Sequence, residues 1–342
     1  MMNEVSTPLK LGLLGLGTVG AGCLRVLADN REEIEARAGR PLSIVRAAVR
    51  DLAKVRDCDT RGIQVDADPD AVVADPEVEL VVELMGGITR ARELVLAALA
   101  NGKNVVTANK ALIAEHGEEI FRAAQEAGRI VAFEAAVAGG IPIIKALREG
   151  LAGNRIEGIA GIINGTTNFI LTKMETEGAG FAETLAEAQF KGYAEADPTF
   201  DVEGIDAAHK LAILATLAFD MPLSFNRIHT TGISSIAAED IRYAGELGYR
   251  IKHLALARRS GEGVELRVEP TLVPETCYVA KIDGVMNGLS IEGSAVGTAG
   301  FFGPGAGALA TASAVLADVV DIARGNAVAP PLMRCDLPVR AM

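Results

Sequence analysis

The chain has 342 residues, enough for two domains, and 49% of them are hydrophobic, enough for a substantial core. With 33 Lys and Arg against 45 Asp and Glu the net charge is −12, which argues against a nucleic-acid binder with its basic stripe. Four scattered cysteines, Cys23, Cys58, Cys277 and Cys335, lack C-x-x-C spacing, and the opening MMNEVSTPLK has no apolar signal core; a zinc site and secretion are disfavoured, and a reducing cytoplasm is expected.

In chain order, Leu9–Leu14 reads as a strand and runs directly into Gly15, Gly17 and Gly20, with a helix expected over Val19–Ala36. This G-x-G-x-x-G spacing between strand and helix fits a dinucleotide pyrophosphate. Gly15 would make the tight turn, Gly17 would let the backbone approach the phosphates, and Gly20 would let the helix pack on the strand. Thr18 and Val19 open the first helical turn, whose N–H groups face the anion. Strands follow at Leu42–Val49, Leu80–Leu84, Asn104–Thr107 and Ile130–Phe133, with helices at Thr89–Asn101 and Gly117–Ala127. Short apolar strands alternating with helices predict a parallel sheet covered on both faces, a Rossmann domain. A membrane span over 130–147 is disfavoured by Glu134, the Gly139-Gly140 pair, Pro142 and Lys145.

Beyond Gly140 the pattern changes. A helix is expected over Ile141–Leu151, a strand over Arg155–Ile163, a helix opening at NGTTNFIL, and a long helix over Asp201–Phe219. Val264–Val273 and Tyr278–Ile282 read as strands, and Gly305–Arg324 as a helix that returns to the first domain. The fold class is therefore α/β: an N-terminal Rossmann domain, residues 1–136 plus about 303–342, and a second α+β domain over 137–302, with a mixed or mostly antiparallel sheet.

The chemistry gathers in two places. With Asp206 at zero on a helical wheel, Lys210 falls at about 40° and Ile213, Leu214 and Leu217 at about 340°, 80° and 20°. Asp206 and Lys210 thus share the apolar face, which points to a buried pair or a cleft floor; a solvated i,i+4 pair is the plainer alternative. A lysine beside a substrate hydroxyl can carry its proton. Upstream, Asp197 and Asp201 suit helix capping, and Glu195, too far ahead for that, is available for a cationic ligand group. The second place is the carboxyl ends of the parallel strands: Thr107 and Lys110 after one strand, Met85, Gly86 and Gly87 after another. The four histidines are isolated, and His209 suits packing better than catalysis.

These segments resemble homoserine dehydrogenase nearly end to end: GLGTVG, ELMGG, TANKALI, FEAAVAGGIPII, INGTTNFIL, KGYAEADPTFDVEGIDAAHKLAIL and FGPGAGALATASAVLADVVDIAR. The resemblance implies NAD(P)-dependent interconversion of L-homoserine and L-aspartate 4-semialdehyde, in the pathway to threonine, methionine and isoleucine. It implies that Glu195 holds the substrate amino group, that Asp206 orients the substrate with Asp201 in the same polar site, and that Lys210 is the catalytic acid/base with Lys110 its partner near the nicotinamide. It also implies a sodium ion on the backbone of Glu134, Val137, Gly139 and Ile141, a loop at Gly303 closing over the cofactor, and a homodimer formed through the second domain. Many relatives continue into a C-terminal ACT domain near where this chain stops, so threonine inhibition is expected to be weak or absent.

Strand two ends Ala48-Val49-Arg50-Asp51. Arg50 favours a 2′-phosphate and Asp51 keeps NAD open, so NADP is expected with dual use. Two other readings compete. An aldehyde-oxidising semialdehyde dehydrogenase needs a cysteine nucleophile in an active-site setting, which no cysteine here occupies. A non-catalytic nucleotide sensor on the same fold would have no reason to place Asp206 and Lys210 on an apolar face.

Overall fold

The computed structural model describes residues 7–261, 263–327 and 337–340. They divide into two units, 7–140 with 307–327, and 141–306 with 337–340. Cys335 lies outside the described residues.

The first unit carries strands β1 Leu9–Leu14, β2 Leu42–Ala48, β3 Gln64–Asp66, β4 Leu80–Glu83, β5 Asn104–Thr107 and β6 Val131–Ala132. They form one parallel sheet in the order β3-β2-β1-β4-β5-β6. This doubly wound order reverses between β1 and β4, and sheets of this kind bind ligands beyond the carboxyl ends of the strands at such a reversal. Leu80, Val81 and Val82 are buried without a break, as a strand covered on both faces requires.

The predicted helix after the glycine turn is two helices, Thr18–Asp29 and Arg31–Ala38. Asn30 sits between them, and its N–H still closes on the Val26 carbonyl at 3.0 Å. The helix expected from Gly117 begins at Lys110, because Asn109 caps it by accepting from the Leu112 N–H at 3.1 Å. The helix Ala308–Arg324 packs in this unit, and a Cβ on Gly22 would stand 2.5 Å from the Ala308 carbonyl. The approach of these two helices thus depends on that glycine. No helix among the described residues is long and apolar enough to cross a membrane.

The second unit holds β7 Ile156–Ile162, β8 His229–Thr230, β9 Tyr249–Ser260, β10 Gly263–Pro274, β11 Met286–Gly293, β12 Gly297–Pro304 and β13 Val339–Arg340. The sheet runs β12-β11-β7-β9-β10-β13, with β8 also on β10. The pairs β11–β12, β7–β11, β7–β9 and β9–β10 are antiparallel, and β8 and β13 join β10 in parallel, so the sheet is mixed.

Four expectations for this part need correction. Tyr278–Ile282 is no strand; Tyr278–Lys281 is a 3₁₀ turn that buries Val279, Ala280 and Ile282, a spacing that alternation does not produce. The helix expected over Ile141–Leu151 is one turn, Ile143–Lys145, passing into a wider π turn closed by Leu151 N–H on Ala146 O at 2.8 Å. The helix expected from Asp201 breaks at Gly204, which has φ 83° and divides Thr199–Val202 from Ile205–Phe219. Residues 337–340, expected with the Rossmann domain, belong with the second sheet through β13, while the first unit resumes at Gly307, close to the expected 303.

Candidate active site

In the first unit, Gly15 has φ 108°, and a Cβ there would meet the Leu84 carbonyl at 2.9 Å. A Cβ on Gly20 would lie 2.3 Å from the Gly15 carbonyl oxygen. Both positions are closed to any side chain. Gly17 is different: it is exposed, with open space around its missing side chain. It caps the helix Thr18–Asp29 with no side-chain partner, so the first-turn N–H groups of Thr18, Val19 and Gly20 await another acceptor. This cradle fits a pyrophosphate in charge and in room. The Gly15 N–H donates to the Ala48 carbonyl at 2.9 Å, which ties the turn to the end of β2, where Arg50 and Asp51 are exposed.

Across the switch point stand the ends of β4 and β5. Gly86 and Gly87 both adopt left-handed backbone, φ 70° and 73°. Glu83 is fully buried. Its Oε2 accepts from Thr107 Oγ1 at 2.7 Å and its Oε1 from the Met85 N–H at 2.9 Å. The Gly86 N–H and the Asn109 amide stand near enough to favour its charged form as well. Burial pushes its pKa up, and these donors pull it back. Asn109 in turn donates to the Gly87 carbonyl at 2.6 Å, and Lys110, half-buried, follows at the first position of its helix.

In the second unit, β7 ends at Ile162, and Asn164 two residues on caps the helix Gly165–Glu177 by accepting from the Thr167 N–H at 2.8 Å. That leaves its amide to donate to Asp201 Oδ1 at 2.7 Å and to Asp206 Oδ2 at 2.8 Å. Asp206 sits in the first turn of Ile205–Phe219, where the helix dipole favours a carboxylate. Lys210, one turn further on, donates from Nζ to Asp206 Oδ2 at 2.7 Å and to the Ile163 carbonyl at 2.7 Å. Asp206 is 2% exposed and Lys210 9%, which decides against a solvated surface pair.

Of the residues singled out in the sequence, Asp201, Asp206 and Lys210 meet in one cluster. Asp201 is not a cap; it accepts from Asn164, whereas Asp197 accepts from the Thr199 N–H at 3.1 Å just before the short helix. Glu195 is exposed on the preceding loop, where Gln189 Nε2 holds its backbone carbonyl at 3.0 Å. His209 packs between Phe225 and Phe200, at 4.1 and 5.6 Å between ring centroids. Gly303 is not in a loop but inside β12, opposite Asn287, with Ile141 Cγ1 3.2 Å from where its Cβ would be. Glu134 opens a buried 3₁₀ turn and its N–H donates to Asp318 at 2.8 Å; Val137 is extended, Ala138 and Gly139 are left-handed at φ 55° and 38°, and the Ile141 carbonyl accepts from the Ile143 N–H at 2.8 Å. Sequence reasoning missed Asn164 and Glu83. Asn164 carries only a cap signature, and Glu83 sits inside an apolar strand with nothing nearby in sequence to mark it.

Two family models match the chain, "Homoserine dehydrogenase, NAD binding domain" over residues 15–134 and "Homoserine dehydrogenase" over 142–320. A homoserine dehydrogenase of Pseudomonas aeruginosa is 58% identical over 317 residues, covering 93% of this chain and 73% of that protein. The crystal structure of a homoserine dehydrogenase from Thiobacillus denitrificans matches with a TM-score of 0.93 at 56% identity, over 98% of this chain and 80% of that one. A hyperthermophilic archaeal homoserine dehydrogenase, solved in complex with NADPH, matches with a TM-score of 0.77 at 26% identity, over 92% of this chain and 97% of that one.

Proposed function

The chain belongs to the homoserine dehydrogenase family, and we propose that Lys210 moves the substrate's hydroxyl proton, with Lys110 as its partner, while Glu195, Asp201 and Asp206 hold L-homoserine. The protein is an NAD(P)-dependent oxidoreductase that interconverts L-homoserine and L-aspartate 4-semialdehyde in threonine, methionine and isoleucine biosynthesis. A bound nicotinamide cofactor supplies the hydride chemistry. Gly15, Gly17, Thr18, Val19 and Gly20 are suited to its pyrophosphate, and Met85, Gly86, Thr107 and Lys110 line the rest of the crevice in this reading, with Gly303 as a further contact.

The observation that carries the proton assignment is the buried Asn164–Asp206–Lys210 chain. Two acceptors fix the amine before any substrate arrives, so little ordering remains for the reacting complex. In the oxidising direction Nζ accepts the hydroxyl proton as a neutral amine. In the reducing direction the ammonium polarises the aldehyde oxygen and returns the proton. Asp206 fixes where Nζ points and, with Glu195 and Asp201, offers negative charge to the substrate ammonium.

Arg50, exposed at the end of β2, supports NADP ahead of NAD, and the NADPH complex of the archaeal relative agrees with that order. A sodium ion on the carbonyls of Glu134, Val137, Gly139 and Ile141 belongs to the same reading. The consecutive left-handed residues Ala138 and Gly139 turn that backbone, and a carbonyl that already accepts one N–H, as Ile141 does, has a second lone pair to give. A homodimer formed through the second unit and a cytoplasmic setting complete the proposal.

Absorbance at the reduced-nicotinamide band, followed with L-homoserine and each cofactor, tests the activity. Reduction of NADP and more slowly of NAD is expected; no reduction of either returns the chain to the class of nucleotide sensors.

A further inference from the structure

We propose that Glu83 is a positioning residue that fixes the two loops of the cofactor crevice against each other, and that its loss weakens cofactor binding before it affects homoserine binding. The proposal rests on the crevice being the cofactor site. Strand β4 reads LVVE, three buried apolar residues and then an acid that is 0% exposed. Nothing in the hydride or proton transfer described above uses this carboxylate. A buried carboxylate is costly unless donors surround it.

Here the donors come from two separate strand ends. The Met85 N–H belongs to the loop after β4 and the Thr107 hydroxyl to the last residue of β5, with the Gly86 N–H and the Asn109 amide standing close by. The partners are themselves linked. Thr107 Oγ1 accepts from the Asn109 N–H at 3.0 Å while donating to Glu83, and Asn109 reaches back across to the Gly87 carbonyl. One carboxylate thus joins the left-handed Gly86-Gly87 turn to the first turn of the helix that carries Lys110. An ionised carboxylate is the one side chain of this size that accepts at both oxygens. Glutamine in its place can keep the Met85 N–H on its oxygen but turns an NH₂ towards Thr107, whose hydroxyl must then reverse from donor to acceptor, so the charge-assisted bond across the two strand ends is lost.

The test uses the full chain and NADPH titrated by its own fluorescence, together with steady-state kinetics. Glu83→Gln should raise the NADPH Kd and the cofactor KM about tenfold, the size of one lost charge-assisted hydrogen bond, while the homoserine KM at saturating cofactor stays within about twofold. Should that variant not fold, Asn109→Ser decides. Serine keeps the helix cap but removes the amide that stands beside Glu83 and holds the Gly87 carbonyl across the two loops, so the same split between cofactor and homoserine KM is expected. A wild-type Kd in the folded variant, or equal rises in both KM values, overturns the positioning role. A wild-type protein that binds no NADPH overturns instead the reading of the crevice.

Discussion

Replacing Lys210 by methionine removes the amine and keeps most of the apolar stem. The lost amine donates to Asp206 Oδ2 and to the Ile163 carbonyl, each at 2.7 Å. Asp206 keeps the Asn164 amide at 2.8 Å, so the carboxylate is not stranded. Removing one partner of a buried ion pair costs roughly 3–5 kcal/mol, and the surviving Asn164 bond puts this case at about 3. A protein with roughly 5–15 kcal/mol of stability remains folded at 25 °C after that loss. Loss of a positioned proton carrier costs about 10²–10⁴ in rate, and a thousandfold drop corresponds to about 4 kcal/mol of barrier. Lys210→Met should therefore lose about a thousandfold in kcat while its thermal transition stays cooperative.

Lys210→Arg separates charge from proton transfer. The guanidinium keeps the positive charge beside Asp206 but does not give up its proton. This variant should be more stable than Lys210→Met and turn over no faster. Initial rates with L-homoserine at saturating cofactor, paired with thermal unfolding, read both quantities. Turnover within about tenfold of the wild type in either folded variant would refute Lys210 as the proton carrier.

Three further outcomes follow from the same geometry. Gly20→Ala places a Cβ 2.3 Å from the Gly15 carbonyl, a backbone atom that cannot step aside, so NADPH affinity by fluorescence titration should fall at least about tenfold; unchanged affinity would mean the turn is not the pyrophosphate cradle. Arg50→Ala should weaken NADP more than NAD in kcat/KM, by about tenfold for one lost charged contact to a 2′-phosphate, and an equal effect on both would remove Arg50 from cofactor choice. Buried His253, whose Nε2 meets the Thr231 carbonyl at 3.0 Å, has its pKa lowered from 6.5 chiefly by burial. The unfolded chain therefore takes up its proton first, and stability should fall as pH drops below 6.5, by up to about 1.4 kcal/mol per pH unit. Urea unfolding of the wild type and His253→Gln between pH 5 and 7.5 checks this, since the difference between them should shrink as the pH falls; a constant difference would contradict it.

How much of this was legible in the sequence depended on whether a local rule governed the residue. The strand–glycine–helix unit read correctly because Gly20 is closed to a side chain by the Gly15 carbonyl five residues before it and Gly15 has φ 108°, both local constraints that the spacing records. Asp206 and Lys210 read correctly as sharing the buried face because helical periodicity alone sets it. The break at Gly204 did not read, since its cause lies elsewhere in the chain: Thr230, His253 and Val268 crowd within 3.0 Å of where its Cβ would stand. Tyr278–Lys281 misled for the opposite reason. Its β-branched and aromatic residues have the composition of a strand, but Val279, Ala280 and Ile282 turn together onto Ile162, Leu254 and Val273. Asn164 and Glu83 show the limit most clearly. Each earns its place through partners 24 to 42 residues away, Thr107 for Glu83 and Asp201 and Asp206 for Asn164, so no window of sequence holds the signal. Periodicity tells which residues are buried together, and long-range hydrogen bonds then decide how the buried polar ones are held.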